Sequence, residues 1–193
     1  MPFLFFFFID FATKGTIFTE IIYLQIVTRP EEVEAAANQK EQENFKFKNF
    51  LEHYNGHYID DLVHKINEEI APRIDCTQCG NCCKSLMIQI DEHEVKSVSE
   101  KLHLTTDEFE AVYVEKGSGG QMIINTIPCH FLKANKCTIY TDRFSSCKEF
   151  PALHLPGITL RVYTILMHYH RCPIIFNVVE ALKLQLEFIT RED

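Results

Sequence analysis

The chain has 193 residues, 46% of them hydrophobic, which suits one domain plus a tail with a core that needs no covalent staples. A formal charge of −8, from 27 acidic against 19 basic residues, argues against a general electrostatic attraction to nucleic acid or anionic lipid. The eight cysteines therefore call for an explanation other than rescue of a chain too small to fold.

The first segment, Phe3 to Ile9, is intensely apolar but ends at Asp10. It is too short to cross a hydrocarbon core, which needs about 20 apolar residues. It also lacks the basic start and the small-residue cleavage site of a signal peptide. A second apolar patch, Ile17 to Val27, is interrupted by Thr19, Glu20 and Gln25. Composition changes abruptly at Arg29-Pro30, so residues 1–29 read as an atypical apolar extension: a packed strand, a partner-binding tail or, the reading favoured, the product of an over-extended reading frame. Mass spectrometry that finds Met1 intact on the native protein would refute this.

Residues 30–70 read as a helical segment. Pro30 to Glu43 is rich in Ala, Glu and Gln and predicts an exposed acidic helix. Phe47, Phe50, Leu51, Tyr54, Tyr58, Leu62, Val63, Ile66 and Ile70 then recur at helical spacing, with Asp60, Asp61, Lys65 and Glu69 off that stripe, and Pro72 closes the helix. Further on, Ser85 to Ile90 alternates like a short strand. Asp91 is an N-cap for a helix to about Leu102, and Thr105 with Glu108 has capping-box spacing for another over 107–115. Gly117 to Gly120 breaks that helix; Gln121 to Ile127 predicts a strand, and Asn135-Lys136 a hairpin turn. Residues 159–170 fit a strand or a buried helix. Residues 174–188 predict an amphipathic helix with Val178, Leu182, Leu186 and Ile189 on one side. The fold class expected is α+β, mainly α: a small single domain, its short strands and loops packed around a metal site over 71–175, with a C-terminal helix over 176–193.

The cysteines carry the functional signal. Cys76, Cys79, Cys82 and Cys83 fall within eight residues, and Cys129, Cys137, Cys147 and Cys172 follow. Thiolate is the soft ligand of zinc, iron and iron–sulfur clusters. Two-residue spacers let sulfurs reach one ion, and Gly80 permits the tight turn between them. Disulfides are the rival reading of an even cysteine count. The adjacent Cys82-Cys83, the density of the first four thiols and the lack of a signal peptide weigh against it and place the chain in the cytoplasm. All eight cysteines are candidate ligands for zinc or iron, the iron as ions or as an iron–sulfur cluster. They suffice for two four-thiolate sites or for one larger cluster with spare thiols. Cys82 and Cys83, as neighbours, are not expected to serve one ion equally, and Cys83 or Cys172 best fits a packed free thiol. His130, His168 and His170 are poorer candidates. Arg143 and Lys148 stand close enough in sequence to Cys147 to offset thiolate charge and donate hydrogen bonds to sulfur. The spacing differs from the Cys-x-x-x-Cys-x-x-Cys of radical S-adenosylmethionine enzymes, and no phosphate-binding glycine loop follows a strand.

Together, Cys76-x-x-Cys79-x-x-Cys82-Cys83, Pro128-Cys129-x-Phe131-Leu132, Cys137-x-Ile139-Tyr140-x-x-Arg143 and Cys147-Lys148-x-Phe150-Pro151 resemble the YkgJ-like cysteine-cluster family, over about residues 70 to 175. The resemblance implies a zinc- or iron-chelating domain, hence a metal ion as partner; the charge argues against nucleic acid and the short apolar runs against a membrane span, while the sequence does not say which protein, if any, is a partner. Two positions depart from the family's usual pattern: Phe144 stands for proline and Lys148 for arginine. Phe144 is expected to loosen the turn that proline would fix. A flagellin lysine methylase looks related through the same cysteines, so the alternative to a non-catalytic metalloprotein is a metal-dependent protein-modifying enzyme.

Overall fold

A computed structural model of the protein describes residues 25–189; the apolar run Phe3 to Ile9 lies outside them. The described residues open with α1 (Pro30–Asn38), α2 (Glu41–Leu51) and α3 (Gly56–Ile70), the last two dividing what the apolar stripe predicts as one helix. The stripe is broken at Asn55, whose side chain accepts hydrogen bonds from the His57 and Tyr58 N–H groups and so caps a new helix at Gly56. Phe47 and Leu51 of α2, and Ile59, Val63, Ile66 and Ile70 of α3, still reach one core. Tyr58 does not, and is half exposed. In α1 the outer face is exposed as expected, while Val33 and Ala37 are buried.

Short helices α4 (Cys76–Cys79) and α5 (Asn81–Ser85) follow, so Ser85 ends a helix and only Gln89–Ile90 forms strand β1. Helices α6 (Glu92–Lys101) and α7 (Thr106–Tyr113) start where the sequence places them. In both, a complete capping box satisfies the first-turn N–H groups: Asp91 with Glu94, and Thr105 with Glu108. Strand β2 (Val114–Lys116) pairs antiparallel with β3 (Met122–Ile124), which also pairs with β1, giving the order β1-β3-β2. A second ribbon joins β4 (Leu132–Lys133) to β5 (Lys136–Cys137). Its turn residues are Ala134 and Asn135, at φ 48° and 63°, one position before the expected Asn135-Lys136. Two consecutive positive φ values give the twist that a two-residue hairpin requires.

Helix α8 (Ser145–Glu149) precedes α9 (Ile158–Met167), which resolves the strand-or-helix ambiguity of that segment as helix. The last element, α10 (Pro173–Gln185), is a core helix rather than a surface one. It is buried almost continuously from Pro173 to Lys183, whereas Ile189 is exposed. A helix surrounded by others has no solvent face to show in its periodicity.

Two apolar clusters result among the described residues. The larger gathers α1, α2, α3, α9 and α10 with Ile74, Leu153, Tyr169 and Cys172. The smaller gathers Ile88, Ile90, Val95, Val98, Phe109 and Ile124 with Cys129, Phe131, Ile139 and Phe144. Within the larger cluster Lys183 is buried, its ammonium donating to Glu43 (2.6 Å), Asn44 (2.6 Å) and Glu180 (2.7 Å). Asp60, expected off the core face, is buried as well. Its carboxylate accepts the N–H groups of Gly157 and Ile158, both at 2.8 Å, and so caps α9 from another element. Among the described residues no helix is long and apolar enough to cross a membrane.

Candidate metal centre

Each cysteine is set by local structure before it meets the others. Asp75 caps α4 through the Thr77 N–H at 2.8 Å, holding Cys76 and Cys79 one helical turn apart. Gly80 then adopts φ 58°, ending α4 and opening α5. A Cβ there would lie 3.0 Å from the Asn135 carbonyl oxygen, so a side chain at this position would have to push the hairpin tip back slightly as well as adopt a left-handed backbone. The adjacent thiols lie on one helical turn, not in extended chain, and their sulfurs are 3.9 Å apart. That is near the edge, about 3.8 Å, of a tetrahedron with zinc–sulfur bonds of about 2.3 Å, and far beyond a disulfide bond. The Cys129 N–H donates to the Cys83 carbonyl at 2.9 Å, tying the two cysteine segments together. Cys137 sits on β5 opposite Leu132, and Cys147 on α8, which is anchored by Ser146 donating to the Gln89 carbonyl at 2.9 Å. Cys172 starts α10, brought alongside α5 by Asn81 donating to the Arg171 carbonyl at 2.8 Å.

All eight thiols are free, and all eight line one cavity of about 120 Å³. It lies at the seam between the apolar clusters, since Cys172 belongs to the larger while Cys129, with Cys83, Cys137 and Cys147 packed against it, belongs to the smaller. The sulfurs surround this space without closing on one point. Among the described residues no group of three or more His, Cys, Asp or Glu side chains stands in position to hold an ion.

Electrostatics mark the cavity as one for thiolates with compensation. Burial pushes Cys147 and Cys172 each up to about 12. The hydrogen bond between Cys82 and Cys83 draws Cys83 down to about 7, while Cys82 rises through the same contact and through burial. Arg143 favours the thiolate form of Cys83, and of Cys76 and Cys137 against the burial that raises them. Its guanidinium lies 4.1 Å from the Tyr140 ring centre. The Nε–H groups of Arg143 and Arg171 are buried without a hydrogen-bond partner, and both residues line the cavity. A buried N–H left unpaired costs about 1–3 kcal/mol, and metal-bound thiolate sulfur is an acceptor of the kind that such a group takes. Eight soft donors with two unpaired guanidinium N–H groups fit a thiolate-bound zinc or iron.

The Cys-x-x-Cys-x-x-Cys-Cys pattern and its later cysteines match a family described as "Putative zinc- or iron-chelating domain" over residues 75–173. The chain belongs to this CxxCxxCC family. No curated protein and no solved structure matches it. The family segment runs from the Asp75 cap through Pro173, and so contains every thiol of the cavity.

Other residues singled out in the sequence fall differently. Neither His130 nor His170 lines the cavity: His130 bonds Asn125 at 2.7 Å, and His170 lies beside Arg171. His168 lines a neighbouring space of about 260 Å³ that also touches Cys82, Cys83 and Cys147. Lys148 is exposed and stands outside the lining, whereas Arg143 lines it. Phe144 does not loosen its turn. It holds φ −58°, the angle proline would impose, and buries its ring 6.0 Å from that of Phe131. Arg171 was missed by sequence reasoning, and its place one residue before Cys172 was the available signal.

Proposed function

We propose that the protein holds zinc or iron through its eight cysteines, the iron as ions or as an iron–sulfur cluster. On this reading the metal organises the fold, is handled as cargo or carries electrons, and it does no acid–base chemistry. The observation that carries this is one cavity lined by all eight free thiols and, among the described residues, by no carboxylate or imidazole. Catalytic zinc keeps an open position for water beside a base. The competing reading, a protein-modifying metalloenzyme, would draw on His168 in the neighbouring space. Reduced thiols belong to a reducing compartment, which makes the cytoplasm the proposed location.

Anaerobic purification under reducing conditions, followed by elemental analysis and an absorption spectrum, tests the metal. A colourless zinc protein identifies one form, and broad iron–thiolate absorption near about 400 nm the other. A chain that carries neither metal and takes up neither on reconstitution refutes the reading. Thiol titration tests the closed site: all eight cysteines should resist a thiol reagent in the loaded protein and react after chelation. A water-bound metal with several reactive thiols would favour the enzyme.

A further inference from the structure

We propose that the eight thiols form two separate four-thiolate sites, Cys76, Cys79, Cys82 and Cys172 in one and Cys83, Cys129, Cys137 and Cys147 in the other, meeting at the adjacent pair Cys82-Cys83. This rests on the metal-binding reading above and deepens it.

The division follows the architecture. Cys83, Cys129, Cys137 and Cys147 all belong to or pack against the smaller apolar cluster. They are joined by short backbone links: Cys129 N–H to the Cys83 carbonyl at 2.9 Å, and Leu132 N–H to the Cys129 carbonyl at 3.0 Å, with Leu132 opposite Cys137 on the ribbon. Cys172 belongs to the larger cluster, as does Ile74 just before Cys76, and Asn81 ties the α4–α5 turn to Arg171.

Consecutive residues of a helical turn point about 100° apart, which sends Cys82 and Cys83 toward different neighbours although their sulfurs are 3.9 Å apart. An ion taking both would need two more thiols and would leave the other four divided between the two groups, whereas a division at Cys82-Cys83 gives each ion four thiolates from one group. Two divalent ions with four thiolates each carry a double negative charge apiece, and Arg143, with its buried unpaired Nε–H, lines the cavity where that charge concentrates.

The test uses the full chain, reduced and reconstituted with zinc against a chelator of intermediate strength, with ions per chain counted by native mass spectrometry. The wild type should hold two. C76S, C82S, C83S and C147S should each hold one. The paired variants C76S/C82S and C83S/C147S should also hold one, because each pair empties a single site, whereas C76S/C147S should hold none. These cysteines are exposed or half-buried, so the chain need not lose its core. If C76S/C147S fails to fold, the two within-site pairs carry the test alone. A wild type with one ion, a within-site pair with none, or a cross-site pair with one overturns the division while leaving metal binding intact. A wild type that binds no metal overturns the underlying reading instead.

Discussion

Gly80 meets two demands at once: a positive φ that turns α4 into α5, and a close approach of the hairpin tip to its Cα. Gly80→Ala should cost about 1–2 kcal/mol for the left-handed backbone, plus the adjustment at Asn135. Urea unfolding of the loaded protein measures it, and an unchanged midpoint would remove the argument. Asp60 is a different kind of residue-level device, a buried carboxylate whose partners are two backbone N–H groups of another element. Asp60→Asn keeps one acceptor oxygen but loses the charge, and should cost about 1–3 kcal/mol in the same assay.

Among the elements, α6 and α7 owe their starts to local chemistry, because both capping boxes are complete within four residues. Thr105→Ala should lower stability by about 1 kcal/mol, with metal content unchanged since α7 contributes no thiol. Thermal unfolding beside elemental analysis tests both halves of that statement. Helix α10 obeys a longer-range rule. Burial alone would raise the Glu180 carboxyl, but the Lys183 charge and hydrogen bonds from Lys183, Lys40 and Tyr169 hold it below its ordinary value of 4.5. A depressed carboxylate contributes stability above its unfolded pKa and loses it as pH falls through the folded one. The Glu180 contribution is therefore full at neutral pH and declines below about pH 4.5. Glu180→Gln should lose about 2 kcal/mol at pH 7 and differ less from wild type at pH 3. Midpoints for the two proteins across that range decide it, and a constant difference would count against the ion pair.

At the scale of the molecule, the thiol cavity joins two apolar clusters that otherwise meet through short helices and loops. Metal held there would act as a clamp between them, favouring the folded state by its binding free energy. Removing it with a chelator under reducing conditions should lower the thermal midpoint by more than about 10 °C, corresponding to a loss of about 4 kcal/mol or more. Calorimetry with and without re-added metal tests this, and equal midpoints would leave the clamp without support.

The sequence alone determined what depends on near neighbours: the Asp91 N-cap, the Thr105–Glu108 capping box, the Gly80 turn, the cysteine pattern and the mainly helical class with short strands. Such features are written in residues three or four apart, where backbone and side chain meet in any fold. Tertiary structure decided the rest. Asp60 went inside because α9, far along the chain, needed a cap. Phe144 kept proline's backbone angle because its ring had a place beside Phe131. Only the packing of α10 and the ribbon against the α4–α5 turn brought Cys172 and Cys129 to one cavity, and with them Arg171. Those meetings join residues more than forty positions apart, and no local pattern encodes a distance of that kind.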